Sequence, residues 1–255
     1  MNLAVALLFM VSVWPFSVVK KDVSIVDIFW GLGFVAIAWN TFAHTDGYLP
    51  RKILVAVLTT IWGYRLALHI FARSLGKGED PRYAEFRNKV GDRYWLVSLV
   101  TVFSLQGVLL WVISLSVQAA QMPSLPAYVV WTDIVGLVIW TVGFSFEAVG
   151  DRQLRQFKAD PANKGKVMDR GLWAYTRHPN YFGESLIWWG MFVFALGDLR
   201  NVWVIVSPVL ITFLLLKVSG VTLLERKITE TRPAYRDYIE RVSPFVPWLP
   251  KKKTS

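Results

Sequence analysis

Gly171-Leu172-Trp173-Ala174-Tyr175-Thr176-Arg177-His178-Pro179-Asn180-Tyr181-Phe182-Gly183-Glu184 begins polar, aromatic and basic and then turns into an apolar helix. The helix runs from Phe182 to Leu196 and carries Glu184 in with it. A carboxylate at the head of a hydrophobic helix, beside Arg177, His178 and Asn180, is costly without a partner. The helix start also presents unsatisfied N–H groups that favour an anionic ligand. The stretch therefore reads as a ligand site at a membrane surface.

Working outward, apolar blocks dominate. Hydrophobic residues make up 54% of the chain, and the mean hydropathy is +0.40. Seven spans, roughly 3–19, 23–43, 53–72, 96–118, 128–149, 182–197 and 202–223, lie near the ~20 residues a helix needs to cross a bilayer. The first is read as a span and not as a signal peptide, because Lys20 and Lys21 follow its apolar run. Of the 28 Lys and Arg, 23 fall in 20–22, 73–95, 150–181 and 224–255. The alternate loops hold only Arg51, Lys52 and Arg200. The positive-inside rule makes the basic segments cytoplasmic, with the N-terminus outside and the C-terminus inside. An odd number of spans requires the same split. The expectation is an all-α integral membrane fold of about seven helices, with a polar cavity opening to the cytoplasm. The chain reads as a single domain, 1–255, whose C-terminal half, about 128–250, carries the ligand site.

Composition excludes several classes. The net charge of +10 follows from topology and anionic headgroups, as in Lys251-Lys252-Lys253, so no nucleic-acid partner is expected. With no cysteine there are no thiolate sites or Cys nucleophiles. Only three histidines, and no His-Glu-x-x-His, leave no metal centre. A dinucleotide glycine fingerprint and a Walker loop are absent too.

Polar groups within spans must face protein, ligand or water. Asp27, Arg65, His69, Gln106, Glu147, Glu184 and Lys217 are the main ones. They are read as the lining of the cavity or as structural ion pairs such as Asp27–Arg65. Glu147, Asp151, Arg155 and Lys158, spaced by four, four and three, share one helix face. That face is either a solvated salt-bridge row or a ligand-facing stripe. The loop Gly76-Lys77-Gly78-Glu79-Asp80-Pro81-Arg82-Tyr83 reads either as a phosphate contact through Arg82 or as a plain turn.

The segment Glu147 to Glu184, with the Glu225–Pro247 tail, resembles the C-terminal half of steroid 5-alpha-reductases. The chain as a whole is more similar to their bacterial relatives of unassigned function. Those share Val26-Asp27-Ile28-Phe29-Trp30-Gly31, Trp62-Gly63-Tyr64-Arg65, Gly78 to Tyr83 and Gly171 to Glu184. The resemblance implies a seven-helix fold in a bacterial inner membrane that binds NADPH and reduces a carbon–carbon double bond of a lipophilic enone, such as a steroid-like, isoprenoid or fatty-acyl compound. Asp151 matches the family's aspartate, and Lys158 stands where the reductases have an arginine. Glu147 occupies an asparagine position. Asn180 and Glu184 match the Asn-x-x-Gly-Glu motif at the nicotinamide end, with Trp173, Arg177, His178 and Tyr181 beside it. Arg226 and Tyr235 match basic and tyrosine positions in the tail. Arg65, Arg73, Arg82, Lys158, Arg177 and Arg226 are the candidates for phosphate and ribose.

The pattern departs at the catalytic end. Steroid reductases carry a Gln-Glu pair on the second helix and a Tyr on the third. Here span 2 offers Asp27 and Trp30, and span 3 offers Tyr64 and Arg65. Tyr64 is the candidate donor to the substrate carbonyl, tuned by Asp27 or Arg65. Arg177-His178-Pro179 with Glu225-Arg226 also resembles isoprenylcysteine and phospholipid methyltransferases, which use S-adenosylmethionine. A non-catalytic lipid-binding or transport protein is the third reading.

Overall fold

Apolar runs with almost no charge have to satisfy their backbone internally, and they do so as helices. The computed structural model describes residues 1–218, 221, 225, 228–229 and 235–251. Its helices are α1 (Asn2–Lys20), α2 (Ile25–Ala43), α3 (Leu49–Ser74), α4 (Pro81–Val90), α5 (Tyr94–Ser98), α6 (Leu105–Ile113), α7 (Leu115–Gln121), α8 (Trp131–Ala159), α9 (Pro179–Ala195), α10 (Val206–Phe213) and α11 (Tyr235–Arg241). Among the described residues there is no strand, only one isolated parallel bridge between Thr176 and Ser243.

Among the described residues, six stretches are long and apolar enough to cross a membrane: Asn2–Lys20, Ile25–Ala43, Leu49–Ser74, Pro81–Ile113, Trp131–Ala159 and Leu199–Val218. The chain is thus helical and has the character of a multi-pass membrane protein. The sixth expected span, 182–197, is realised as α9, which has 17 residues and falls just short of a full crossing by length. The fourth run starts earlier than hydropathy suggests. Asp80 caps α4 by accepting from the Arg82 N–H at 3.0 Å, and Pro81 sits at the first helical position, where it needs no donor. A π-helical turn, Leu99–Ser104, then joins α5 to α6. Leu8, Val19, Leu68, Val100 and Ile134 are well exposed, as lipid-facing side chains would be.

The chain divides into two compact units, 1–130 with 195–207, and 131–194 with 208–255. In the first, α2 and α3 approach through Gly31 and Gly63: a Cβ on Gly31 would lie 2.5 Å from the Gly63 carbonyl oxygen. In the second, α8 and α9 meet antiparallel through Gly136 with Gly190 and Gly143 with Gly183. A Cβ on Gly183 would stand 2.4 Å from the Glu147 nitrogen. Small residues let two backbones pack this closely where water supplies no hydrophobic drive. This contact sets Glu147 against the first turns of α9.

Candidate functional site

The second unit holds most of the residues singled out by sequence. The α8 stripe divides along its length: Glu147 and Asp151 are buried, whereas Arg155 and Lys158 are exposed. Trp173, in a short 3-10 turn over Gly171–Ala174, is buried and donates its indole N–H to the Gly150 carbonyl at 3.0 Å. Its own carbonyl accepts the Tyr238 hydroxyl at 2.5 Å. Asn180, in the first turn of α9, donates from Nδ2 to Asp151 Oδ1 at 3.1 Å. Its Oδ1 is buried with no hydrogen-bond partner.

Arg177 and His178 converge on Glu225. Arg177 Nε donates to Glu225 Oε1 at 2.7 Å and Nη2 to Oε2 at 3.2 Å, while Nη1 reaches the carbonyls of Ile239 (2.8 Å) and Val242 (2.6 Å). The Arg177 backbone N–H adds a bond to Ser243 O at 2.9 Å. Four of the five guanidinium N–H groups are therefore occupied, and Arg177 acts as the clasp that holds the tail. His178 Nε2 lies 3.0 Å from Glu225 Oε1, and its ring stacks on Tyr181 at 5.5 Å. Burial works against the Glu225 charge, but the His178 and Arg177 hydrogen bonds outweigh it and hold the carboxyl below its usual range. Tyr235 and Tyr238 pack together at 5.4 Å, and burial pushes both phenols well up, so they stay neutral. Glu184 is half-buried. Arg226 lies outside the described residues.

The first unit gathers a separate cluster. Asp27, in the first turn of α2, accepts from Arg82 Nη2 at 2.9 Å and from the Tyr83 hydroxyl at 2.8 Å. Gln106 Nε2 donates to that hydroxyl at 3.2 Å. Arg82 also binds Asp80 through Nε at 2.9 Å, and Arg87 forms a two-point bond with Glu79 at 2.8 and 2.9 Å. Burial opposes the Asp80 charge, yet its bonds from Arg82 win and keep its carboxyl below the ordinary range. Arg82 thus serves two carboxylates. Arg65 is half-buried and Arg73 exposed. Tyr64 is 52% exposed and takes no part in the cluster. Sequence reading passed over Tyr83 as part of a turn; its signal was a phenol beside a cation at the mouth of an apolar helix. Glu225 enters the sequence reading only as the start of the tail and beside Arg226 in the two resemblances.

These residues lie within a stretch that one family covers nearly end to end. The chain belongs to the family described as Protein of unknown function (DUF1295). The match spans residues 13–242. A relative of this DUF1295 chain, the uncharacterized protein C594.04c of Schizosaccharomyces pombe, is 27% identical over 92% of the chain and 76% of its own length. A second, the probable O-methyltransferase ustE of Ustilaginoidea virens, is 38% identical over 25% of the chain and 22% of its own length. No solved structure matches. The relative that spans most of the chain is fungal, so the bacterial origin implied by the resemblance has no support here.

Proposed function

We propose that this DUF1295 protein is a membrane reductase that uses NADPH to saturate the double bond of a lipophilic enone, as its resemblance to steroid 5-alpha-reductases implies. The observation that carries the reading is Asn180. Its Nδ2 is tied to Asp151, and its Oδ1 is buried without a partner. Such an orphaned acceptor is costly unless a ligand donor meets it. The N–H₂ of a primary carboxamide is a donor of that kind. Farther along the α8 stripe, Arg155 and Lys158 are exposed cations, suited to phosphate. The donor set therefore fits a cofactor that is an amide at one end and polyanionic at the other.

When bound, NADPH supplies a hydride to the electron-poor carbon. Asn180 and Glu184 hold its nicotinamide end, with Trp173, His178 and Tyr181 framing the segment and Tyr235 in the tail. Glu147 and Asp151 orient the donors around them. Lys158 takes phosphate, with Arg226 as a further candidate. Arg177 fixes the tail, because its fork is already engaged. Tyr64, a hydroxyl on an apolar helix, donates to the substrate carbonyl, with Asp27 or Arg65 tuning it. In this reading the N-terminus is outside, the C-terminus is cytoplasmic and the binding cavity opens to the cytoplasm.

A second reading has an observation of its own. The partial similarity to a probable O-methyltransferase favours S-adenosylmethionine as the cofactor. The carboxylates Glu147, Asp151 and Glu184 would suit its ammonium and sulfonium groups.

The test is thermal stabilisation of the detergent-purified chain by each cofactor, since a ligand that binds only the folded state raises apparent stability. The expected result is stabilisation by NADPH and none by S-adenosylmethionine. Glu184→Gln and Asn180→Ala should each weaken NADPH binding, the latter by up to about tenfold for one lost hydrogen bond. Stabilisation by S-adenosylmethionine alone would replace the reductase with the methyltransferase. Unchanged NADPH affinity in both variants would remove the site assignment.

A further inference from the structure

The turn that follows α8 has a feature of which the cofactor reading uses only Lys158. Leu154, Phe157 and Met168, together with Lys158, Asn163 and Lys164, line a cavity of about 300 Å³. Its rim is braced from within. Asp160 accepts from the Ala162 N–H at 2.9 Å and from Asn163 Nδ2 at 3.3 Å, and Asn163 Nδ2 also donates to the Phe157 carbonyl at 3.1 Å. The acid of the rim is thus engaged locally, while Lys164 is exposed. The surrounding sequence keeps the field positive, with Arg152, Arg155, Lys158, Lys164, Lys166 and Arg170 against Asp151, Asp160 and Asp169.

Position adds a second constraint. Helix α8 has 29 residues. At 1.5 Å per residue it extends well past a hydrocarbon core of about 30 Å. Lys158 follows the last apolar residue of the run, Val149, by nine positions, or roughly 13 Å. That distance puts the cavity at the headgroup region, where a lysine stem reaches back along apolar surface. A volume at the small end of ligand pockets suits a phosphate with a short organic group and is too small for a dinucleotide. The exposed Lys164 ammonium beside Phe157, Leu154 and Met168 matches that shape, with a point charge for the phosphate and apolar contact for what carries it.

We propose that this cavity binds a phosphate monoester, presented either by an anionic lipid headgroup or by a soluble phosphate ester. The proposal does not rest on the reductase reading, in which Lys164 and Met168 take no part.

The experiment uses the full chain in phosphatidylcholine nanodiscs and reads thermal stabilisation. One arm adds phosphatidic acid to the bilayer; the other adds glycerol 3-phosphate to the solution. Stabilisation in the lipid arm alone identifies a headgroup, and in the soluble arm alone a soluble ester. Either supports the proposal, and stabilisation in neither overturns it. Lys164→Gln should weaken the effective ligand roughly fivefold, the equivalent of about 1 kcal/mol for one basic residue near a membrane surface. Met168→Trp should fill the cavity and abolish binding with all charges kept. Should that variant melt early without ligand, Leu154→Phe narrows the same space more gently. Loss of binding with Lys164→Gln but not on filling the cavity would mean diffuse surface attraction and would also overturn the site.

Discussion

Each unit builds a carboxylate–arginine centre with a third polar group, and the two differ in how much water they admit. In the first, Arg82 and Asp27 keep side-chain exposures of 36% and 23%, with the Tyr83 hydroxyl as the third partner. In the second, Arg177, Glu225 and His178 are only 7%, 16% and 4% exposed. The first ties the start of α4 to the start of α2, using charges that can still be hydrated. The second joins residues 48 apart in sequence and draws in the Ile239 and Val242 carbonyls of the tail. A buried pair contributes little net stability over an apolar one, but breaking it strands a charge. The second centre should therefore be the brittle one.

The largest effect tests that contrast. Arg177→Ala leaves Glu225 half-paired and removes the donor shared by two tail carbonyls, so it should cost about 3–5 kcal/mol. It should lower the apparent melting temperature and open residues 235–251 to protease. A loss no greater than that of Arg82→Ala would break the comparison. Glu225→Gln should cost less, and its cost should depend on pH. The folded carboxyl of Glu225 sits below its unfolded value. Its stabilisation is therefore complete above the unfolded value and is lost as pH falls through the folded one. The gap in stability between the native chain and Glu225→Gln should close on acidification below the usual carboxylate range. A gap constant down that limb would mean that Glu225 does not titrate as a paired group. Gly183→Ala probes the support beneath this centre. The new Cβ meets backbone at Glu147 and Gly143, which cannot swing aside, and overpacking of this kind costs about 1–3 kcal/mol. Gly78→Ala, where a Cβ meets nothing, is the control.

The same contrast explains what could be read from sequence. Helices were legible because hydropathy is a local signal: α1, α2, α3 and α8 lie within a few residues of the expected spans, α8 apart from its long charged exit. The four-residue spacing placed Glu147 and Asp151 on one face of α8 but left open whether water covers that face; packing buries both. The partners of Arg177 were not legible. Two of its acceptors are backbone carbonyls, which every residue carries, and the third is a glutamate far along the chain. Hydrogen-bond capacity is written in a sequence; its allocation is decided by packing. For that reason Arg177 read as a free cation at a ligand site and is found holding the tail. Tyr83 shows the same limit, since its pairing with Asp27 crosses 56 positions.

The smallest expected effects on stability compare two tyrosines of the first unit. Tyr83 donates to Asp27 and accepts from Gln106, so Tyr83→Phe should cost about 1 kcal/mol and leave Gln106 without that acceptor. Tyr64 is half in the open with no such bonds, and Tyr64→Phe should stay within about 0.5 kcal/mol. The two variants separate support from chemistry. If Tyr64 donates to a substrate carbonyl, Tyr64→Phe melts like the native chain, retains NADPH binding and loses enone reduction. If enone reduction instead survives Tyr64→Phe and is lost in Tyr83→Phe at unchanged NADPH affinity, the carbonyl donor is the buried hydroxyl. Tyr83 has a single proton to donate and already gives it to Asp27, so that outcome would require the carboxylate to release it first. The reductase proposal therefore takes the exposed phenol as its donor and leaves the buried one its bond to Asp27.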